Sequence, residues 1–135
     1  MTDEYKEWER QCDEIRREND QLLNDFQQGL TGKGLKPKTV QNHLGNVDFY
    51  INHYLLYYDP VRPPEGDTAI LFFFEYWFPR KAMWASPANV KSMAASIKKF
   101  YQFLFEQGKV DEDAVQELKA EIRASLPDWM EAAEF

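Results

Sequence analysis

Between Gly32 and Tyr58 the chain reads GKGLKPKTVQNHLGNVDFYINHYLLYY, and no other stretch limits the fold as tightly. Val40, Leu44, Val47, Ile51, Tyr54 and Tyr58 follow at steps of 4, 3, 4, 3 and 4. That pattern lays one apolar stripe along an α-helix, and the two-residue alternation of a strand cannot produce it. Pro37 suits the first helical turn, where its missing N–H would have no partner, and Gly32 and Gly34 supply a turn just before it. The spacing predicts a helix from near Lys36 to a point before Asp59-Pro60.

The remaining segments read as helices too. Tyr5, Trp8, Cys12 and Ile15 are spaced 3, 4 and 3 in a highly charged stretch, so an exposed or partner-seeking helix fits residues 1–20 better than a disordered tail. It is expected to run on into Leu22, Leu23, Phe26 and Leu30 and to close at Thr31-Gly32. Residues 59–66 are too rich in proline for regular structure. Residues 70–78, ILFFFEYWF, have the composition of a buried strand, but no other stretch offers that strand a partner. A short helix, capped by Asp67 or Thr68 and ended by Pro79, is the expectation. Its aromatic residues read as core, because no lysine or arginine interleaves them as in a base-stacking platform.

Ser86-Pro87 opens the best-defined helix, with serine as N-cap and proline at the first helical position. Val90, Met93, Ala94, Ile97, Phe100, Tyr101, Leu104 and Phe105 form its stripe, and Gly108 suits the left-handed residue that ends helices. Asp111-Glu112-Asp113 caps a last helix bearing Val115, Leu118 and Ile122, which Leu126-Pro127 is expected to stop. Trp129, Met130 and Phe135 then pack back on the bundle or dock on a partner.

Hydrophobic content of 44% and aromatic content of 16% exclude a disordered chain, and 135 residues suit one domain with a real core. The single Cys12 cannot close an internal disulfide and no signal segment opens the chain, so a reducing, cytoplasmic setting is expected. The longest apolar run falls far short of the ~20 residues of a membrane span. No membrane partner is expected.

The net charge of −7 argues against a polyanionic partner until its distribution is counted. Residues 1–25 hold four basic and nine acidic side chains, and residues 111–135 hold two and eight. Residues 26–56 hold three and one, and residues 80–110 hold six and one. The two basic segments each contain a well-patterned helix, and screening beyond about 8 Å lets a local patch act despite distant acids.

Those helices display the candidate site. Lys33, Lys36 and Lys38 crowd the entrance of the central helix, followed by Thr39, Gln41, Asn42, His43 and Asn46 on or near its polar side. Across the seam of the Ser86-Pro87 helix lie Asn89, Lys91, Ser92, Ser96, Lys98 and Lys99, with Arg80 and Lys81 in the loop before it. Cations and a positive helix end attract phosphate, and Asn or Gln can read adenine. A solvated face with an ordinary basic turn has the same composition, and both readings stand at this level.

Catalytic chemistry finds no footing. His43 and His53 are ten residues apart on one helix, about 80° out of phase, and cannot chelate one metal as an i, i+4 pair could. There is no P-loop, no GxGxxG after a strand and no nucleophile elbow. No enzyme activity, cofactor, metal or small-molecule substrate is expected.

Two stretches together carry a resemblance. Phe26-Gln27-Gln28-Gly29-Leu30, the glycine turn and Gly34-Leu35-Lys36-Pro37-Lys38-Thr39-Val40-Gln41-Asn42-His43-Leu44 resemble the entrance to the second helix of the core-binding, SAM-like domain of tyrosine recombinases, the phage integrase family. The segment from Val90 to Gly108, VKSMAASIKKFYQFLFEQG, is similar to that domain's fourth helix. The resemblance spans roughly residues 22–110. It implies a small helical bundle whose second and fourth helices lie on duplex DNA, through Lys36, Lys38, Thr39, Gln41, Asn42 and His43 and through Asn89, Lys91, Ser92 and Ser96.

Lys36 stands where the family usually has a capping serine, and Asp111-Glu112-Asp113 replaces the proline that usually follows the fourth helix. The arginine set and tyrosine nucleophile of the catalytic half have no counterpart, so strand exchange by this chain is not expected. The whole reading is an all-α, single-domain bundle of four to five helices of the SAM-like, recombinase core-binding type, with residues 1–21 as a charged helical extension, 22–110 as the core-binding-like domain and 111–135 as an acidic helix and tail packing on it. Its expected role is non-catalytic binding of duplex DNA in DNA recombination or integration. The alternative is a helical protein-interaction module, using the acidic or aromatic ends, that has lost DNA binding.

Overall fold

The computed structural model describes residues 2–134, and every regular element among them is helical. Phe135 lies outside the described residues. The chain forms two compact units, Met1–Gly66 and Asp67–Phe135. The boundary falls where the proline-rich loop ends, while position 21 lies in the middle of an unbroken helix.

In the first unit, α1 spans Asp3–Gly32, opened by the Thr2 hydroxyl accepting the Tyr5 N–H at 3.2 Å. Its last turn closes on Gly34, whose φ of 87° only glycine adopts without strain. The Gly34 N–H bonds the Thr31 carbonyl (3.0 Å) and the Leu35 N–H the Leu30 carbonyl (3.3 Å), the paired bonds of a Schellman stop. The glycine turn thus does what its sequence predicts.

The charged start of α1 is not a free extension. Cys12 and Ile15 are buried with Leu56, and Trp8 packs on them while its indole N–H donates to the Tyr58 carbonyl at 2.7 Å. Burial pushes the Cys12 thiol up, so it stays a neutral packing group. Arg62 clamps Glu18 through two 2.9 Å bonds. Further along, the buried Asn19 amide donates to Asn52 (2.8 Å), which donates to Asp48 (2.7 Å).

The central helix, α2, covers Pro37–Asp48 and continues as a wider π turn over Phe49–Tyr54. Val40, Val47, Ile51 and Tyr54 are buried as the stripe requires, and Leu44 is half-buried. Tyr58, the last expected member, is 50% exposed, while Tyr50, Leu55 and Leu56 are buried instead. The Leu55 N–H reaches back five residues to the Tyr50 carbonyl, and that extra residue per turn moves the register on by about 100°. Ile51 and Tyr54 keep their places on the buried side, and the helix ends at Tyr54, so the extrapolated stripe fails only at Tyr58. Tyr50 fastens the loop below by donating its hydroxyl to the Gly66 carbonyl at 2.7 Å.

The second unit begins with a composite helix, α3, made of Ile70–Phe72, a π turn over Phe73–Trp77 and Phe78–Lys81. The helix expected for residues 70–78 is present, but Pro79 does not end it. The switch from π to α pitch at Phe78 puts Pro79 in the first turn of a new α segment, where a missing N–H is tolerated. Phe73, Phe74, Trp77 and Phe78 are core, whereas Leu71, Phe72 and Tyr76 face outward.

Helix α4, Pro87–Glu106, starts on the Ser86 hydroxyl accepting the Asn89 N–H (3.1 Å). It ends on Gly108 (φ 74°), with the Lys109 N–H on the Leu104 carbonyl at 2.8 Å. Helix α5, Glu112–Ala132, is capped by Asp111 through the Ala114 N–H (2.8 Å) and packs along α4. It runs straight through Pro127, contrary to the stop expected there. Two residues later Trp129 is buried and stacked on Phe74, ring centroids 4.4 Å apart and planes 14° apart, a contact that offsets the proline's cost.

Candidate nucleic-acid interface

On the first unit the basic face is the entrance of α2. Lys33, Lys36, Lys38, Thr39, Gln41 and Asn42 are all exposed there. Lys36 is the N-cap residue and makes no side-chain capping bond, unlike Thr2, Ser86 and Asp111 at the other long helices. With proline at the first position, the N–H groups of Lys38 and Thr39 are left to the solvent side of a positive helix end. No carboxylate among the described residues forms an ion pair with Lys36 or Lys38.

His43 does not belong to this face. It is 7% exposed, because it lies three residues after Val40 and four before Val47, on the flank of the buried stripe. That spacing is visible in the sequence and is the signal that would have placed it correctly.

On the second unit Lys91, Lys98 and Lys99 are exposed on α4 and carry no ion pair among the described residues. Lys91 and Lys98 are two turns apart, about 10 Å along the axis at 1.5 Å per residue, far enough to meet different phosphates. Lys99 joins them one position on. Arg80 and Lys81 are exposed at the end of α3, the Arg80 guanidinium lying 4.0 Å from the centroid of the Tyr76 ring and donating to the Tyr76 carbonyl at 3.2 Å.

Three small polar residues assigned to this face serve the fold instead. Ser96 is fully buried, its hydroxyl donating at 3.1 Å to the Ser92 carbonyl one turn back. Like His43 it sits at a core spacing, three after Met93 and four before Phe100. Ser92 is half-buried and supplies that acceptor. The half-buried Asn89 amide donates to the Trp84 carbonyl and so ties the preceding loop to the first turn of α4.

The arginines of the first unit are used differently. Arg10 pairs with Glu7 (2.6 Å) and Glu14 (3.3 Å), Arg16 with Asp13 (3.2 Å) and Arg62 with Glu18 (2.9 Å). Hydrogen bonds from Arg10 and Gln11 pull the Glu7 carboxyl down to about 2. Three of the four arginines of this unit are thus paired with nearby carboxylates, while Arg17 on the same helix, like the lysines of α2 and α4, has no ion pair among the described residues. Among the described residues no group of three His, Cys, Asp or Glu is placed to hold a metal ion, and no helix is long and apolar enough to cross a membrane.

No family model, curated protein or solved structure matches the chain. The reading of the two faces stands on their chemistry.

Proposed function

We propose that the chain is a non-catalytic module for duplex DNA, a helical domain of the SAM-like, recombinase core-binding type working in a cytoplasmic DNA recombination or integration setting. One observation carries the reading: Lys36, Lys38, Lys91, Lys98 and Lys99 are exposed without carboxylate partners in a protein of net charge −7, where acids are abundant enough to pair them. Ammonium groups left unpaired on helix faces are suited to phosphate. Thr39, Gln41 and Asn42 stand beside them on α2 with side chains able to meet base edges.

Anisotropy titration of a labelled duplex at low salt tests the proposal. The unmodified protein binds, and Lys38→Glu combined with Lys91→Glu removes binding while the circular dichroism spectrum stays unchanged. Equal binding by the double variant refutes the assignment of these lysines.

A helical protein-interaction module is the second reading, and a cleft on the first unit favours it. Asp3, Glu4, Glu7, Asp59, Trp8 and Pro60 line it, with Tyr5, Tyr57 and Tyr58 exposed in the same unit. A stable protein complex on size exclusion, with no duplex bound at low salt, selects that reading.

A further inference from the structure

Among the described large hydrophobic residues Met83 is the most exposed, at 102%. It does not sit on a loose loop. The turn that carries it is closed by the Ala82 N–H on the Phe78 carbonyl (3.0 Å) and the Ala85 N–H on the Ala82 carbonyl (3.1 Å), and both alanines are buried. Trp84 braces the turn from the side, its ring edge-on to the buried Phe78 at 5.0 Å and 78°, and its carbonyl takes the Asn89 amide. This hydrogen-bonded turn holds one unbranched apolar side chain wholly in water, where it contributes no burial to the fold.

The charge around it is of one sign in sequence. Residues 76–105 contain no Asp or Glu and carry Arg80, Lys81, Lys91, Lys98 and Lys99. The neighbouring exposed rings are partly covered by one another: Phe72 stacks on Tyr76 at 4.9 Å, and Arg80 lies over Tyr76. Met83 remains the projecting apolar group.

We propose that Met83 is an apolar wedge that enters a base step of the bound duplex, with Arg80 beside it to meet a flanking phosphate; this rests on the DNA-binding reading above. Side chains of this kind unstack a step and kink the duplex, and one or two of them suffice. The rival occupants need more surface. A stable protein interface takes about 800 Å² from each partner, and even a whole myristoyl chain attaches a protein to a bilayer only marginally. One methionine beside a half-exposed tryptophan offers far less than either, and the acid-free basic stretch around it complements a polyanion.

A wedge works best where unstacking is already cheap, so the probes are two duplexes of equal length, one fully matched and one with a central mismatch. The unmodified protein is expected to prefer the mismatched duplex about tenfold, equivalent to about 1.4 kcal/mol. Met83→Ser, at a position that packs against nothing in the free protein, removes the preference by weakening binding of the mismatched duplex more than of the matched one, whereas Met83→Leu retains the preference. Equal affinity for both duplexes in the unmodified protein and in Met83→Ser overturns the wedge but leaves DNA binding in place. No binding to either duplex at low salt overturns the DNA reading and the wedge with it. Binding to phosphatidylserine vesicles that Met83→Ser abolishes, without a mismatch preference, makes the turn a membrane contact and overturns the proposal.

Discussion

Replacing Trp129 with alanine tests whether the end of α5 is docked as described. Trp129 is 3% exposed and stacked on Phe74, and truncating a buried tryptophan costs about 3–5 kcal/mol. Its indole N–H has no acceptor in the protein, so removing it returns about 1 kcal/mol of desolvation penalty. The expected net loss is about 2–4 kcal/mol. Urea unfolding followed by far-ultraviolet circular dichroism reads it as a lower midpoint with an unchanged slope.

The same contact carries the helix through Pro127, whose place inside a helix costs up to about 3 kcal/mol. Pro127→Ala is therefore expected to stabilise the protein, and the gain should shrink when Trp129 is already alanine, because an undocked end frays. A Trp129→Ala loss below about 0.5 kcal/mol, the size of an ordinary surface substitution, would refute this reasoning and return the helix end to Leu126-Pro127.

Two further outcomes follow from the first unit. Asn52→Ala strips the buried Asn19 amide of its acceptor and Asp48 of a donor and should cost about 1–3 kcal/mol in the same assay, and Asn52→Asp, which keeps the oxygen facing Asn19 but sets a carboxylate against Asp48, should not restore the loss at neutral pH. Hydrogen bonds from Arg62 hold the Glu18 carboxyl below the ordinary carboxylate range. Its contribution to stability is complete above that range and disappears as pH falls through the lowered native value, so Glu18→Gln and the unmodified protein should differ at pH 6 and converge in strong acid. The difference is small because both side chains are about half exposed, each at 46%.

Much of the local structure was legible because it rests on rules with short reach. Gly34 and Gly108 announce helix stops, Ser86-Pro87 and Asp111 announce starts, and all four do what their chemistry predicts. The departures come from packing between segments distant in sequence. The π turn at Phe73–Trp77 shifts the register without any local marker and lets α3 continue past Pro79, and the central helix stops at Tyr54, four residues short of the exposed Tyr58. Pro127 was outweighed by a stack on Phe74, more than fifty residues away in sequence. At the candidate site the long cations stand outside as expected, since lysine is almost never buried without a partner. His43 and Ser96 went astray because a small polar residue at a core spacing can be accommodated inside, Ser96 through its own helix backbone.

The salt dependence of duplex binding tests the central claim most directly. If Lys36, Lys38, Lys91 and Lys98 neutralise about four phosphates, the logarithm of the association constant falls against the logarithm of salt with a slope of about −3.6, and affinity drops roughly 150-fold between 50 and 200 mM. With only one helix face engaged the slope is about −1.8, and Lys38→Glu and Lys91→Glu then differ in which of them flattens it. A slope near zero, or duplex binding indifferent to both substitutions, would contradict the claim that these lysines are kept for phosphate.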